Sequence, residues 1–206
     1  MTDAARPTVF VVDDDASVLR SLGRILRSMG FAVELFDSPR SFLDRCELGR
    51  PGCVLLDLSM PQMSGSDVQQ HLLDAGSLLP VVFLSGTGNI PASVSAMKAG
   101  AVDFLVKPAS GDELAETIGR ALERNRQLRL EHDEREGIVN RYSTLTAREK
   151  EVMRHLLCGK RNKEIAYELG IVEKTIKVHR ARILAKLQVR SLVNLFELAT
   201  RAGIQP

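Results

Sequence analysis

Short apolar runs alternate with amphipathic helical patterns through residues 9–122 of the chain. The apolar runs have the length and the β-branched and aliphatic content of buried strands. They cover residues 9–12, 32–36, 53–56, 81–84 and 102–106. In the stretches between and after them, apolar residues recur every three or four positions, as on one face of a helix. Five strands that alternate with five helices predict a doubly wound parallel α/β sheet.

Local signals mark where several of these helices begin and end. Ser38 followed by Pro39 is typical of a helix start, because serine accepts a hydrogen bond from an exposed amide and proline fits the first turn. Ser110 and Glu113 have the spacing of a capping box that begins the fifth helix. Glycines at positions 30, 49, 76 and 100 are expected to end the first four helices.

The pattern changes after Leu122, where the apolar stripe fades and residues 123–141 are mostly charged. We expect a first domain over residues 1–124, a linker over 125–141 that is helical in its first half, and a second domain over 142–206. The second domain carries four helical patterns, the first of which begins at a capping box of Thr146 and Glu149. A short turn at Gly170 joins the middle pair, as in a helix-turn-helix, so this domain is predicted to be all-α.

Charge is distributed unevenly between the two predicted domains. The chain of 206 residues has a net charge of +2, but residues 1–141 hold 15 Lys and Arg against 20 Asp and Glu, while residues 142–206 hold 13 against 6. The second domain is therefore strongly basic, which indicates a polyanionic partner such as nucleic acid. A solvated basic face on a protein-binding module remains an alternative.

The remaining composition excludes several classes of protein. No apolar run is long enough to cross a membrane, and no charged and then apolar leader begins the chain, so we expect a cytoplasmic protein without membrane contact. The three cysteines, Cys46, Cys53 and Cys158, are odd in number and lack metal-ligand spacing. We expect them to be reduced.

Carboxylates follow two strands of the predicted sheet. Asp13 and Asp14 come directly after the first strand, and Asp57 comes after the third. Because the carboxyl ends of parallel strands meet at one edge, these side chains are expected to form a cluster that a hard cation such as Mg2+ would stabilise. Ser85 and Lys107 end the fourth and fifth strands at the same edge. A hydroxyl and an ammonium there could hold the oxygens of a phosphoryl group carried by Asp57.

The first domain resembles a known family over residues 8–124. Its motifs V-V-D-D, L-L-D-L-S-M-P-Q-M-S-G, L-S-G-T-G and D-F-L-V-K-P are similar to those of the receiver domain of two-component response regulators. The resemblance implies a flavodoxin-like fold in which Asp57 accepts a phosphoryl group from a histidine kinase. It also implies that Asp14, Asp57 and the Ser59 carbonyl bind Mg2+, with Asp13 supporting the site.

The same resemblance implies a switch at the neighbouring strand ends. Ser85 would be the switch hydroxyl, where the family more often has threonine, and Phe104 would be the switch aromatic. Lys107 would pair with the phosphoryl group, and its bond to Pro108 would be cis. From the residues alone, Phe104 is better explained as a core side chain, and a cis peptide bond before proline is uncommon.

The second domain resembles the LuxR-type helix-turn-helix of FixJ/NarL-class regulators over residues 143–203. The carrying motifs are L-T-A-R-E-K-E-V-M, N-K-E-I-A-Y-E-L-G-I and K-T-I-K-V-H-R-A-R-I-L-A-K-L. Such a module places its second helix in the major groove of DNA. Residues expected to approach bases or phosphates are Lys174, Thr175, Lys177, Val178 and Arg182. Residues expected to contact the phosphate backbone are Asn162, Lys163, His179, Arg180 and Lys186.

Val172 departs from the pattern of this second family. The family usually has serine or threonine before the recognition helix, and valine cannot accept the exposed amide hydrogen bonds of a helix start. We expect the fold to survive with a less firmly held helix end.

Together the motifs predict a transcription regulator, not an enzyme, that is switched by phosphorylation and binds double-stranded DNA as a homodimer. The resemblance also implies RNA polymerase as a partner. One alternative is a phosphatase of the haloacid-dehalogenase type, since residues 13–17 fit the pattern D-x-D-x-S. That reading leaves residues 55–65 unexplained. Another alternative is a regulator that binds DNA whether or not it is phosphorylated.

Overall fold

The structure, a computed structural model, describes residues 6–86 and 90–205, without the side chains of residues 90–93. Thr87 and Gly88 of the L-S-G-T-G motif lie outside the described residues. The chain forms two compact units, residues 1–129 and residues 130–206. Among the described residues, no helix is long and apolar enough to span a membrane.

The first unit is built on a five-stranded parallel sheet, as the alternation of apolar runs predicts. Its strands are β1 (Thr8–Val12), β2 (Ala32–Phe36), β3 (Gly52–Asp57), β4 (Val81–Ser85) and β5 (Asp103–Val106). They are ordered β2-β1-β3-β4-β5, and all neighbouring pairs are parallel. Chain order reverses between β1 and β3, which places a crevice at their carboxyl ends.

Helices cover both faces of this sheet. They are α1 (Ala16–Ser28), α2 (Pro39–Arg45), α3 (Gly65–Asp74), α4 (Ile90–Lys98) and α5 (Gly111–Ser143). Side chains alternate along each strand, so that Phe10 belongs to one apolar cluster with residues of α2 and α3, whereas Val9 and Val11 belong to a second cluster with residues of α1 and α5. The central strand β3 is buried along its whole length, which carries Asp57 into the interior.

Two helix ends differ from the sequence prediction. Helix α2 ends at Arg45, four residues before Gly49, because Cys46 adopts an extended backbone and its side chain is buried in the core. Helix α5 continues to Ser143, so the predicted linker 125–141 is helical throughout and not only in its first half. Ion pairs between neighbouring turns, including Glu123 with Arg126, help to stabilise its polar stretch.

The second unit contains the last part of α5 and four further helices, as expected for a helix-turn-helix domain. These are α6 (Ala147–Leu157), α7 (Asn162–Glu168), α8 (Glu173–Lys186) and α9 (Leu192–Ala202). Its core includes Ile138, so the packed unit begins before residue 142. Thr146 and Glu149 form the predicted capping box at the start of α6.

Candidate functional site

Three charged side chains meet at the carboxyl edge of the sheet. Asp13 follows β1, Asp57 is the last residue of β3 and Lys107 follows β5. The Lys107 ammonium donates to Asp13 Oδ2 at 2.5 Å and to Asp57 Oδ1 at 2.6 Å. One cation therefore bridges two carboxylates, and the group keeps one net negative charge.

The other oxygen of each carboxylate is held by the backbone. Asp13 Oδ1 accepts from the Asp15 amide at 2.9 Å, and Asp57 Oδ2 accepts from the Ser59 amide at 2.9 Å. Asp15 itself accepts from the Ser17 and Val18 amides and caps α1. These bonds fix both carboxylates with little freedom of rotation. They also use the second acidic residue of the D-x-D-x-S pattern as a helix cap, which disfavours the dehalogenase-type alternative.

Burial and hydrogen bonding together set the pKa values of Asp57 and Lys107. Asp13 is 1% exposed and Asp57 is 5% exposed. Burial raises the pKa of the Asp57 carboxyl, although its hydrogen bond from Lys107 acts in the opposite direction. Burial alone would lower the pKa of Lys107, but the hydrogen bonds to Asp13 and Asp57 outweigh it, so the pKa is raised and the ammonium stays charged. Asp57 is thus a carboxylate of increased basicity beside a permanent cation.

Asp14 does not join the bridged pair. Its side chain is exposed and lines a cleft of about 490 Å3 together with Asp37, Ser38 and Met63. Across residues 6–86 and 90–205, no group of three or more acidic, cysteine or histidine side chains has a metal-holding arrangement. The donors nevertheless suit Mg2+ in kind, because carboxylates at the end of β1 and β3 supply only oxygen and leave negative charge uncompensated.

The two residues of the predicted switch lie on adjacent strands. Ser85 ends β4 and is 2% exposed, and its carbonyl accepts from the Lys107 amide at 2.8 Å. Phe104 on β5 is half-buried against the cluster that contains Phe10 and pairs in register with Phe83. The Lys107–Pro108 bond is cis, as the resemblance implied.

Gly65 also belongs to this site, although the sequence around it predicts only a loop. A Cβ at this position would lie 2.4 Å from the Asp57 carbonyl oxygen. Its amide donates to the Leu58 carbonyl at 3.0 Å, which closes the loop after β3 against the start of α3. Any larger residue would displace the backbone that carries Asp57. In the sequence, the requirement for glycine at position 65 is indicated only by the Ser64-Gly65 pair that follows a proline-containing loop.

The second unit presents a stripe of exposed residues along α8. Exposed positions recur at intervals of three and four residues, so they lie on one face of the helix, opposite the buried Ile176 and Ile183. We call this face the α8 stripe. It consists of Lys174, Lys177, Val178, Ala181, Arg182 and Ala185, and the exposed Glu173 at its start pairs with Lys177 at 3.2 Å. The small side chains of the two alanines project little from the middle and end of the stripe, so a partner surface can approach the helix closely.

The other predicted contact residues lie beside the α8 stripe. Thr175 and Arg180 are half-buried on its flanks, His179 is half-buried on the side of Ile176 and Ile183 with a buried Nδ1, and Lys163 is exposed at the start of α7. Asn162 is the first helical residue of α7, and the N-cap residue before it, Arg161, donates its amide to Glu164 at 2.6 Å.

Lys186 is directed elsewhere. Its ammonium donates to Glu149 Oε2 at 2.6 Å and to the Thr144 carbonyl at 3.1 Å. Glu149 is only 3% exposed, and the Lys186 hydrogen bond lowers the pKa of its carboxyl. Lys186 therefore lies off the α8 stripe and neutralises a buried carboxylate.

Val172 is the N-cap residue of α8, as the sequence predicts. It has extended dihedral angles, with φ −82° and ψ 148°, and its side chain makes no capping hydrogen bond. The side chain is 67% exposed. Valine at this position therefore contributes little packing and leaves the amides of the first turn of α8 without a side-chain acceptor.

Replacing Val172 with serine is expected to stabilise the second unit by about 1 kcal/mol, because the hydroxyl accepts from an amide of the first turn. Both tyrosines of the chain, Tyr142 and Tyr167, lie in this unit and there is no tryptophan. Tyrosine fluorescence during urea unfolding of the full chain therefore reports this unit selectively. Val172→Ala, which adds no acceptor, is the matched control. A serine variant no more stable than the alanine variant would contradict the capping argument.

Comparison with known proteins identifies the family of each unit. The family model of the response regulator receiver domain matches residues 9–119, and that of the bacterial regulatory proteins, luxR family, matches residues 143–199. The response regulator protein TodT of Pseudomonas putida is 41% identical over 201 residues, covering 98% of this chain and 88% of TodT. The transcriptional regulatory protein FixJ of Rhizobium meliloti is 39% identical over 199 residues, covering 97% and 98%.

A solved structure shows the same architecture. The low-resolution structure of the response regulator StyR superimposes with a TM-score of 0.82 and 45% sequence identity, covering 96% of this chain and 100% of StyR. Matches to both family models and to relatives over almost their full length establish the family. The chain belongs to the two-component response regulators, with a receiver domain followed by a LuxR-type DNA-binding domain, and acts as a transcriptional regulator.

Proposed function

We propose that Asp57 accepts a phosphoryl group from a histidine kinase and that this modification promotes dimerisation and sequence-specific DNA binding. The observation that carries the proposal is the bridge of Lys107 between Asp13 and Asp57 at the carboxyl edge of the sheet. A basic carboxylate beside a fixed ammonium is arranged for nucleophilic attack on phosphorus. In that attack an Asp57 oxygen forms the new bond to phosphorus, and the bond from phosphorus to the kinase histidine breaks.

Lys107 then changes partner. A phosphoryl group brings about −1.5 to −2 charge and three acceptor oxygens. Its oxygens compete with Asp13 and Asp57 for the Lys107 ammonium, which is charged and 22% exposed. The group would be retained near the edge by this ion pair and by the Ser59 amide, which already donates to Asp57.

Mg2+ would be held by the Asp14 and Asp57 carboxylates and the Ser59 carbonyl, with Asp13 as support. When bound, Mg2+ supplies positive charge that offsets the charge of the phosphoryl oxygens. The Asp14 carboxylate would reach the Mg2+ from the neighbouring cleft, because this side chain is exposed and lies outside the bridged pair. Asp13, held by Lys107 and the Asp15 amide, keeps the edge negative enough to attract the cation.

The switch would run from Ser85 to the surface of α4 and β5. Attraction of the Ser85 hydroxyl to the phosphoryl group changes the space beside Phe104, which is half-buried and able to turn inward. The nearby surface exposes large apolar side chains: Val94 at 46%, Met97 at 44% and Val106 at 52%. An apolar surface on a helix and an edge strand is suited to pairing with a second copy of the chain.

Dimerisation would present two α8 stripes to DNA. Two helix-turn-helix modules address half-sites about one turn of DNA apart, so dimerisation raises affinity for a palindromic operator. Lys174, Lys177 and Arg182 would supply the charge, and Val178 the apolar contact. The protein would act in the cytoplasm with a histidine kinase and RNA polymerase as partners, and its chemistry would be limited to phosphorylation and dephosphorylation of Asp57.

Acetyl phosphate with Mg2+ is expected to convert the full chain from monomer to dimer, and Val106→Glu is expected to prevent this. The glutamate places a charge in the apolar surface without touching Asp57. Analytical ultracentrifugation measures the association, and mass spectrometry verifies that the variant is still phosphorylated. Val139→Glu, on an exposed apolar residue of α5 outside this surface, is the control. A phosphorylated Val106→Glu chain that dimerises as well as the wild type would contradict the proposed surface.

A further inference from the structure

The first turn of α6 contacts the ends of both helices of the helix-turn-helix. Arg148 donates to the Leu169 carbonyl at 2.8 Å, and Leu169 is the C-cap residue of α7. The next residue, Glu149, accepts from Lys186, the last residue of α8, at 2.6 Å. Two adjacent side chains on α6 therefore hold the carboxyl ends of α7 and α8.

One oxygen of the Glu149 carboxylate accepts from two fixed donors. Its Oε2 accepts from the Thr146 amide at 2.8 Å as well as from Lys186, and its own amide donates to Thr146 Oγ1 at 3.2 Å. The carboxylate is 3% exposed, so removal of Lys186 would leave a buried charge without its cation. Such a loss is costly, whereas the loss of an exposed ion pair is not.

The pair holds the carboxyl end of α8, one helical turn from Arg182 of the α8 stripe. Ile176 and Ile183 pack α8 onto the core, but apolar contacts alone permit small rotations and shifts. Directional hydrogen bonds at the carboxyl end restrict both. A recognition helix must hold its side chains to within a fraction of an ångström for base readout, so support from such bonds affects affinity.

We propose that Glu149 and Lys186 are positioning residues that set the orientation of α8 on DNA, and that Lys186 makes no phosphate contact. The inference rests on the proposed placement of the α8 stripe against DNA. It changes the expected role of Lys186, which the sequence pattern grouped with the backbone-contacting cations.

The test uses variants that change one charge. For these variants, a phosphate contact and a positioning pair predict different effects on DNA binding. The full chain and its variants are titrated with a duplex recovered from random DNA by wild-type selection, at several salt concentrations. Lys186→Gln is expected to bind about tenfold more weakly with an unchanged slope of log affinity against log salt. Lys174→Gln, a matched charge loss on the stripe, should reduce that slope by about 0.9.

Glu149→Gln gives the sharpest distinction. This variant makes the protein more positive, so simple attraction to DNA would tighten binding, whereas loss of the positioning pair weakens it. Glutamine keeps an acceptor oxygen for Thr146, so this variant decides the question even if Lys186→Gln does not fold. Tyrosine fluorescence checks that each variant is folded at the temperature of the titration.

Two different failures can be told apart. A reduced salt slope for Lys186→Gln, or tighter binding by Glu149→Gln, would overturn the positioning pair. An unchanged slope for Lys174→Gln would instead contradict the placement of the α8 stripe on DNA. Weaker binding by both variants of the pair, with a double variant no weaker than either single one, would support the inference.

Discussion

Asp57→Asn is expected to take up no phosphoryl group from acetyl phosphate, whereas the wild-type chain takes up one per molecule when Mg2+ is present. The asparagine amide is nearly the same size and can keep the hydrogen bond from the Ser59 amide. It lacks the second anionic oxygen and cannot act as the nucleophile. The variant thus removes the nucleophile with little change in side-chain volume, although its amide nitrogen replaces the oxygen that accepts from Lys107.

Intact-protein mass spectrometry measures the uptake. Asp44→Asn is the matched control, because Asp44 is exposed on α2 and pairs only with Arg40 among the described residues. EDTA should suppress uptake by the wild-type chain, since the carboxylates at the sheet edge would then lack the divalent cation. Phosphorylation that persists in Asp57→Asn, or that is unaffected by EDTA, would contradict the assignment of Asp57 and of its metal.

Arg182→Gln is expected to weaken binding of the full chain to its selected duplex by about 1–3 kcal/mol. Arg182 is exposed on the α8 stripe, one turn from Val178. The loss of its charge removes either a base contact or a phosphate contact. A phosphate contact would reduce the slope of log affinity against log salt by about 0.9, and a base contact would relax sequence preference at one position.

Fluorescence anisotropy with a labelled duplex measures both quantities for Arg182→Gln. Arg154→Gln removes the same charge from an exposed position on α6, away from the α8 stripe. That control should change affinity much less. Equal losses for Arg182→Gln and Arg154→Gln would indicate attraction to the overall charge of the domain and no specific role for the stripe.

The sequence was informative wherever local pattern and chain direction decide the structure. The strands were found because apolar runs of β-forming residues have few alternatives, and Asp57 and Lys107 meet because parallel strands end at one edge. Val172 was placed at the start of α8 because the helical pattern begins directly after it. These inferences need no knowledge of which distant residues touch.

Asp14 illustrates a limit of reasoning from strand ends alone. Strand β1 ends at Val12 and Asp14 lies in the bend that follows, so strand direction does not fix where its side chain points. The structure buries Asp13 and exposes Asp14. Both the strand order and the family resemblance group the two carboxylates, whereas burial separates them in the structure.

Other features depend on packing between residues that are far apart in the chain. Lys186 and Glu149 are separated by 37 positions, and Asn125 accepts from the Gly52 amide across 73. Neither pair has a signature in sequence spacing. Asn125 is buried at the point where the predicted linker begins, and it also donates to the Leu78 carbonyl. Such anchoring explains in part why α5 continues beyond the expected end of the first domain.

The most direct test of phosphorylation control is the affinity of the full chain for one selected duplex, measured with and without acetyl phosphate and Mg2+. Coupling between the receiver and DNA binding predicts an increase of about 5- to 150-fold on phosphorylation. Asp57→Asn should show the unphosphorylated affinity under both conditions. Equal affinity of the phosphorylated and unphosphorylated wild-type chain would contradict the proposed switch and would favour a regulator that binds DNA independently of Asp57.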